Sequence, residues 1–232
     1  MRNRVTPLSS LPVQSRREGD RSETKARLLL EAAGHVFAEK GFDRATGKEI
    51  CERAGTNAAA VNYYFGGIEG LYAAVLEEAH GRLLSYQVVS AAVAGKGDAK
   101  AKLRALVELI VRTATGPASS SWMLRVVSRE FLAPTFALEV LRQREIPLKA
   151  RIIGEIVSEL MGLPEDHPAV ARGCFSVLAP CAMLLIGDRR TLKRAFPKFG
   201  FGPDDADALL DHLVAFALAG LAAIGRIARE EY

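Results

Sequence analysis

The sequence has few of the residues that carry most enzymatic and metal chemistry. Among its 232 residues are three cysteines, Cys51, Cys174 and Cys181. The number is odd, none belongs to a CxxC pair, and no Cys/His spacing fits a zinc site. A disulfide framework and a metal site are therefore not expected, and three free thiols suit a reducing cytosol. The four histidines, His35, His80, His167 and His212, are scattered, with no acid or thiol at a motif spacing. No GxSxG, Walker A, GxGxxG or HExxH pattern occurs. No catalytic residue, no metal and no cofactor is expected.

Charge of one sign is also scarce. Lys and Arg total 31 against 27 Asp and Glu, a net charge of +4 with a pI near 9.0. Residues 1–70 hold 11 Lys/Arg and 9 Asp/Glu, a net of +2. Contact with nucleic acid must come from well-placed side chains, not a broad positive field. The longest apolar run, Leu213–Ile224, falls short of the ~20 residues a bilayer span needs. Residues 1–20 lack an apolar stretch of signal-peptide length. The expected protein is soluble and cytoplasmic, with no membrane partner.

What is present is helical. The 49% hydrophobic and 25% charged content suits a chain that buries a real core. Residues 1–21, with Pro7, Pro12, Gly19 and five arginines, show no periodicity and read as a disordered basic arm. From Ser22, a candidate N-cap, apolar residues recur at helical spacing: Leu29, Ala33, Val36 and Phe37, stopped by Gly41. The expected helices then span 46–54, 57–65, 68–94, 99–115, 121–133, 136–160, 168–186 and 204–230. Pro147 and Pro180 predict a kink or break inside two of them. No segment alternates as strands do. The fold class is all-α with about nine helices, arranged as a domain over 22–67 and a larger one over 68–232.

The informative stretch is 46–65. Two short helices flank a tight turn at Gly55, with Thr46 capping the first and Thr56 the second. Ile50, Cys51, Ala54 and Val61 let the two helices cross closely. The opposite face of the second helix carries Asn57, Ala58, Ala59, Asn62 and Tyr63. Such a face fits a DNA major groove: Asn pairs bidentately with adenine and Ala meets a thymine methyl. Helix N-termini and the hydroxyls of Tyr63 and Tyr64 suit phosphates. The bland alternative is that the tyrosines pack against the first helix, which is more reasonable for Tyr64 than for both.

Three pieces in order carry a resemblance: Ala33-x-x-Val36-Phe37-Ala38-Glu39-Lys40-Gly41-Phe42, Thr46-x-x-Glu49-Ile50-Cys51-x-x-Ala54-Gly55, and Val61-Asn62-Tyr63-Tyr64-Phe65-x-x-Ile68-Glu69-x-Leu71. Together the stretch 24–71 resembles the DNA-binding domain of TetR-type transcriptional repressors. More loosely, Arg129–Thr135 resembles a subgroup whose C-terminal body is shared among regulators of drug and transport genes. The resemblance implies a helix-turn-helix head, a larger helical body for ligand binding and dimerisation, and release from the operator by a small molecule. It implies base or backbone contact by Lys48, base contact by Ala58, Ala59 and Asn62, and phosphate contact by Tyr63 and Tyr64. With Thr46, Thr56 and Asn57 from the reading above, these make the expected DNA-binding set. The family usually carries Lys where this chain has Ile68 and a bulkier residue where it has Gly47, so the phosphate grip and its salt dependence should be weaker here.

For the body, the expected ligand-binding residues are Trp122, Arg125, Arg129, Phe131, Phe175, Cys181 and Met183, with Met123, Phe136 and Cys174 nearby; ordinary core packing is the competing reading for each. Helices 168–186 and 204–230 are apolar on more than one face, with Leu209, Leu213, Phe216, Gly220, Ala223 and Ile227 forming a wide stripe. A helix apolar most of the way round needs a second partner, and the resemblance supplies a second subunit. A two-fold dimer implies a palindromic operator with half-sites ~34–36 Å apart. In the expected mechanism an unknown small-molecule effector moves the long helix 68–94. Two other readings stand beside this: a helical adaptor without DNA binding, and a redox or enzymatic protein.

Overall fold

The computed structural model describes residues 13–230, and all regular structure among them is helical. The chain divides into two compact units at Val75/Leu76.

The N-terminal unit contains α1 (Val13–Lys40), α2 (Gly47–Ala54), α3 (Ala60–Phe65) and the first turns of α4 (Ile68–Leu83). The apolar stripe of α1 is buried as its spacing predicts: Leu29, Ala33, Val36 and Phe37 are at most 1% exposed. Ile50 and Val61 from the two short helices, and Leu71, Tyr72 and Val75 from α4, complete this core. Phe37 meets Tyr72 edge-on at 4.8 Å, the arrangement aromatic quadrupoles favour. Arg53 pairs with Glu39 at 3.1 Å and Lys40 with Glu49 at 2.7 Å, tying α2 to α1. Both pairs are solvated, so they fix geometry more than they stabilise.

Two boundaries differ from expectation. α1 begins at Val13, so Ser22 is not its cap and residues 13–21 of the expected arm are helical. Gln14, Arg16, Arg17 and Glu18 are good helix formers that extend an established helix at low cost; residues 1–12 lie outside the described part. The division into units also falls at 75/76 instead of 67/68, because Leu71, Tyr72 and Val75 pack into the N-terminal core.

The C-terminal unit is a helical body comprising the rest of α4, α5 (Tyr86–Val93), α6 (Ala99–Thr115), α7 (Trp122–Leu132), α8 (Phe136–Met161), α9 (Pro168–Ile186), α10 (Arg189–Ala195) and α11 (Ala206–Glu230). Its core runs along α6, which packs against α5, α8, α9 and α11. Leu103, Val107, Val111, Val157, Met161, Val170, Leu210 and Leu221 are buried there. Polar N-caps set the helix starts: Asp98 accepts from the Ala101 N–H at 2.8 Å, Ser121 from Leu124 at 3.3 Å, and His167 Nδ1 from Ala169 at 3.1 Å.

The described residues form eleven α-helices, not about nine. The expected helix 68–94 is two, because Ser85 takes an extended backbone and its hydroxyl accepts from the Val88 N–H at 3.3 Å, starting α5 afresh. α10 occupies a stretch expected to be irregular, nucleated by Asp188, whose carboxylate accepts from the N–H groups of Arg190 and Thr191 at 3.2 and 3.1 Å. Neither Pro147 nor Pro180 breaks its helix. At Pro180 the one missing N–H bond is outweighed by flanking turns that pack on the core through Val177, Cys181 and Leu184, whereas the helix continues through Pro147 although its neighbours Ile146 and Leu148 are exposed.

By length and composition, α9 and the stretch Pro203–Glu230 are apolar enough to cross a membrane, although the longest uninterrupted run fell short. Each gives one face to the core, through Val177, Cys181 and Leu184 on α9 and Leu210, Val214 and Leu221 on α11. The other face remains apolar and exposed: Phe175 and Met183 on α9, and Phe216, Ile224 and Ile227 on α11, with Phe216 70% exposed.

Candidate nucleic-acid interface and a cavity in the body

The head places its candidate DNA-contacting residues through two backbone devices. Thr46 Oγ1 accepts from the Glu49 N–H at 3.3 Å and starts α2. At the other end Gly55 turns the chain with φ +64°. The Gly55 N–H donates to the Glu52 carbonyl at 3.2 Å and the Thr56 N–H to the Cys51 carbonyl at 2.9 Å. This is a Schellman closure, and its left-handed residue suits glycine.

The second expected cap is not formed. Thr56 Oγ1 turns back to the Cys51 carbonyl at 3.5 Å, and α3 begins at Ala60 after a tight turn in which the Ala60 N–H reaches the Asn57 carbonyl at 3.1 Å. The backbone polar groups of the α2 end draw on Thr56 first, so Asn57, Ala58 and Ala59 form the approach to α3 and not its first turn.

Thr46, Lys48, Asn57, Ala58, Ala59, Asn62 and Tyr63 are all exposed. Tyr63 is 80% exposed and meets the half-buried Tyr64 edge-on at 4.9 Å. The bland reading therefore fails for Tyr63 and holds in part for Tyr64. Asn62 Oδ1 leans over the turn after α3, 3.8 Å from where a Cβ on Gly67 would stand. Thr56, Asn57, Ala59, Tyr63 and Tyr64 line one concavity of about 440 Å³ together with Lys25 and Leu28 of α1. These last two were missed in the sequence; the available signal was Leu28, an apolar residue off the buried α1 stripe and 51% exposed. The assembled surface offers amide, methyl, hydroxyl and ammonium groups side by side.

The body contains a separate cavity of about 400 Å³. Its walls are aliphatic: Leu76 and Leu84, Val127, Leu138, Leu141 and Ile146, and Ala182, Leu185 and Ile186, with Phe131 as the aromatic. Five polar side chains line it: His80, Ser128, Glu130, Arg142 and Lys149. Ser128 Oγ donates to the Leu185 carbonyl at 2.9 Å. Glu130, 1% exposed, accepts from the Thr135 N–H at 3.1 Å.

Lys149 Nζ stands 2.9 Å from His80 Nε2 and donates to the Leu84 carbonyl at 3.1 Å. Glu145 lies 3.8 Å from the same ammonium and accepts from the Tyr86 N–H at 2.6 Å. Burial, together with the neighbouring Lys149 charge, pushes His80 down to about 4. The imidazole is thus neutral at physiological pH, with Nε2 as acceptor and the proton on Nδ1. Burial also lowers Lys149, opposed by Glu145.

Of the expected ligand-binding residues, Phe131 lines this cavity and the others do not. Trp122 and Cys181 are buried, 3% and 2% exposed, and burial raises the Cys181 thiol to about 11, leaving it an inert packing group. Arg125 and Arg129 are exposed. Phe175 and Met183 belong to the outer face of α9, 74% and 50% exposed. Weighting aromatics and sulfur pointed to the core and the outer surface, whereas the cavity is aliphatic. Its polar groups sit where no motif marks them.

With this geometry in place, comparison with known proteins fixes the family. Residues 29–75 match the family described as bacterial regulatory proteins, tetR family. Residues 99–221 match the C-terminal domain of the HTH-type transcriptional dual regulator CecR, more than half the chain. No curated protein sequence matches. Solved structures with the same fold include a TetR-like transcriptional regulator from Rhodococcus sp. RHA1, with 18% identity, TM-score 0.60, and 85% of this chain and 96% of that one covered. FadR from Bacillus subtilis in complex with stearoyl-CoA gives 17% identity and a TM-score of 0.61, covering 84% and 98%. AibR in complex with isovaleryl coenzyme A and operator DNA gives 15% identity and 0.61, covering 83% and 97%. The chain belongs to the TetR family of bacterial transcriptional regulators, with a body of the CecR type.

Proposed function

We propose that this regulator is a homodimeric repressor that reads a palindromic operator with the exposed approach and outer face of α3, dimerises through α9 and α11, and is released by an acyl-chain effector held in the body cavity. The observation that carries the reading is the cavity: an aliphatic chamber with a few convergent polar groups, the form ligand sites take. Asn57, Ala58, Ala59 and Asn62 face bases. Thr46, Lys48, Thr56, Tyr63 and Tyr64 face phosphates and set register. The exposed apolar faces of α9 and α11 support a subunit interface, since contiguous exposed apolar area on a soluble chain marks an association surface. The FadR and AibR structures hold acyl-CoA molecules, and aliphatic walls here suit an acyl chain. The protein works in the cytoplasm, without catalytic activity of its own.

The test starts by selecting bound sequences from a genomic DNA pool, then measures operator affinity by fluorescence anisotropy. Asn62→Ala and Tyr63→Ala should each weaken operator binding at least about tenfold with the dimer intact by light scattering. Medium-chain acyl-CoA should release wild-type protein from the operator. Unchanged DNA affinity in both variants would sink the assigned surface, and release by no acyl-CoA would sink the effector class.

A further inference from the structure

We infer that Lys149 is the specificity-determining residue of the cavity and that the effector carries an oxyanion, carboxylate or phosphate, beside its apolar chain. This rests on the cavity being the effector site. The argument is one of donors and charges. The ammonium gives one N–H to His80 and one to the Leu84 carbonyl. Among the described residues its remaining donor has only Glu145 at 3.8 Å, beyond hydrogen-bond length, and that carboxylate is engaged with the Tyr86 N–H. Lys149 therefore lines the cavity with an underused donor in a partly buried site, where a charge-assisted bond is stronger than one between neutral groups. The other cation of the wall, Arg142, has among the described residues only a distant partner, Glu139 at 4.0 Å. The one acid of the wall, Glu130, is turned onto the Thr135 backbone. An anion finds two cations there; a cation finds an acid already in use.

The position of Lys149 gives binding a consequence. Lys149 and Glu145, one turn apart on α8, clamp the two sides of the α4–α5 break: the ammonium holds the carbonyl of Leu84, just past the end of α4, and the carboxylate holds the first α5 N–H at Tyr86. An oxyanion that takes the spare donor of Lys149 competes with Glu145 for the ammonium, and the balance of the clamp across the break shifts. Binding is thereby read out as a change at the end of α4, as a differential interaction with two states requires.

The test is isothermal titration calorimetry of the full-length dimer with three probes of equal chain length: decanoate, decyl phosphate and decanol. Wild-type protein should bind at least one of the two anions about tenfold or more tightly than decanol, and which anion prevails identifies the head group. Lys149→Met should bring both anions within about twofold of decanol, all three probes being compared in the same variant, and Lys149→Arg should restore most of the preference. Equal binding of all three probes by wild type, or a preference that survives in Lys149→Met, overturns the assignment while the cavity stands. Tighter binding of decyltrimethylammonium than of decanol by wild type overturns it without any variant. Binding of none of the probes removes the cavity as effector site and this inference with it.

Discussion

Two residues of the head should bear on how strongly it holds DNA of any sequence. Ile68 opens α4 where the family usually has a lysine, and Gly47 opens α2 where it usually has a larger side chain. A Cβ at Gly47 would meet nothing within 4 Å, so the small residue is not forced by packing. Ile68→Lys should add one phosphate contact per subunit. The slope of log affinity against log salt should steepen by about 0.9 for each contact, with a gain on operator and unrelated DNA alike. Anisotropy titrations over a KCl series measure this, and an unchanged slope would show that position 68 does not reach the backbone. Gly55 is different, because its φ of +64° is required by the turn. Gly55→Ala should cost about 1 kcal/mol of stability, seen as a lower melting temperature. At this scale the sequence was read well wherever a side chain acts alone: Thr46 as a cap, Gly55 as a turn, Tyr63 as an exposed group. It was misread at Thr56, where an earlier helix end and a later helix start compete for one hydroxyl and only three-dimensional geometry decides.

At the scale of elements, the break between α4 and α5 concentrates the titratable chemistry. The sequence showed one apolar stretch over 68–94, and a single serine that caps from inside a helical pattern gives little warning of a break. The partners that hold the break, Glu145 and Lys149, are about sixty residues away on α8, so no local pattern could connect them to it. His80 is held near 4 against an ordinary 6.5. A base whose folded pKa is depressed binds its proton more readily when unfolded, so stability is full above pH 6.5 and falls as pH drops toward 4. The interval sets a ceiling of roughly 3 kcal/mol, and partial solvent contact reduces this to roughly 1–2 kcal/mol. Urea unfolding at pH 7 and pH 4.5 should show this loss in wild type, and His80→Asn should reduce the difference between the two by about that amount. An equal pH dependence in the variant would mean that other groups carry it. A second contact of elements is tight: a Cβ on Gly225 would stand 2.5 Å from the Met161 carbonyl oxygen. Backbone cannot move aside as a side chain can, so Gly225→Ala should force α11 off the C-terminal end of α8 and cost about 1–3 kcal/mol.

For the whole molecule, the decisive question is what covers the outer faces of α9 and α11. The inner faces already pack on the body, through Val177, Cys181, Leu184, Leu210, Val214 and Leu221. Yet Phe175, Met183, Phe216, Ile224 and Ile227 stay exposed on the far side. In a two-fold arrangement each of these residues appears twice in one self-complementary patch. Burying one phenylalanine contributes roughly 1.5–3 kcal/mol, so the two copies of Phe216 together contribute roughly twice that. Phe216→Asp replaces this with two carboxylates in an apolar seam, so the dimer dissociation constant should rise by several orders of magnitude, and sedimentation at micromolar concentration should find monomers. The core face of α11 does not include Phe216, so the monomer should keep its helical circular dichroism. Operator binding should then fall by far more than any single DNA-contact substitution causes, since a lone head reads only half of a palindromic site. A Phe216→Asp protein that remains a dimer would place the subunit interface elsewhere. The exposed apolar faces would then need another partner, and α9 and α11, long and apolar enough to enter a lipid phase, would make a membrane surface the next one to test.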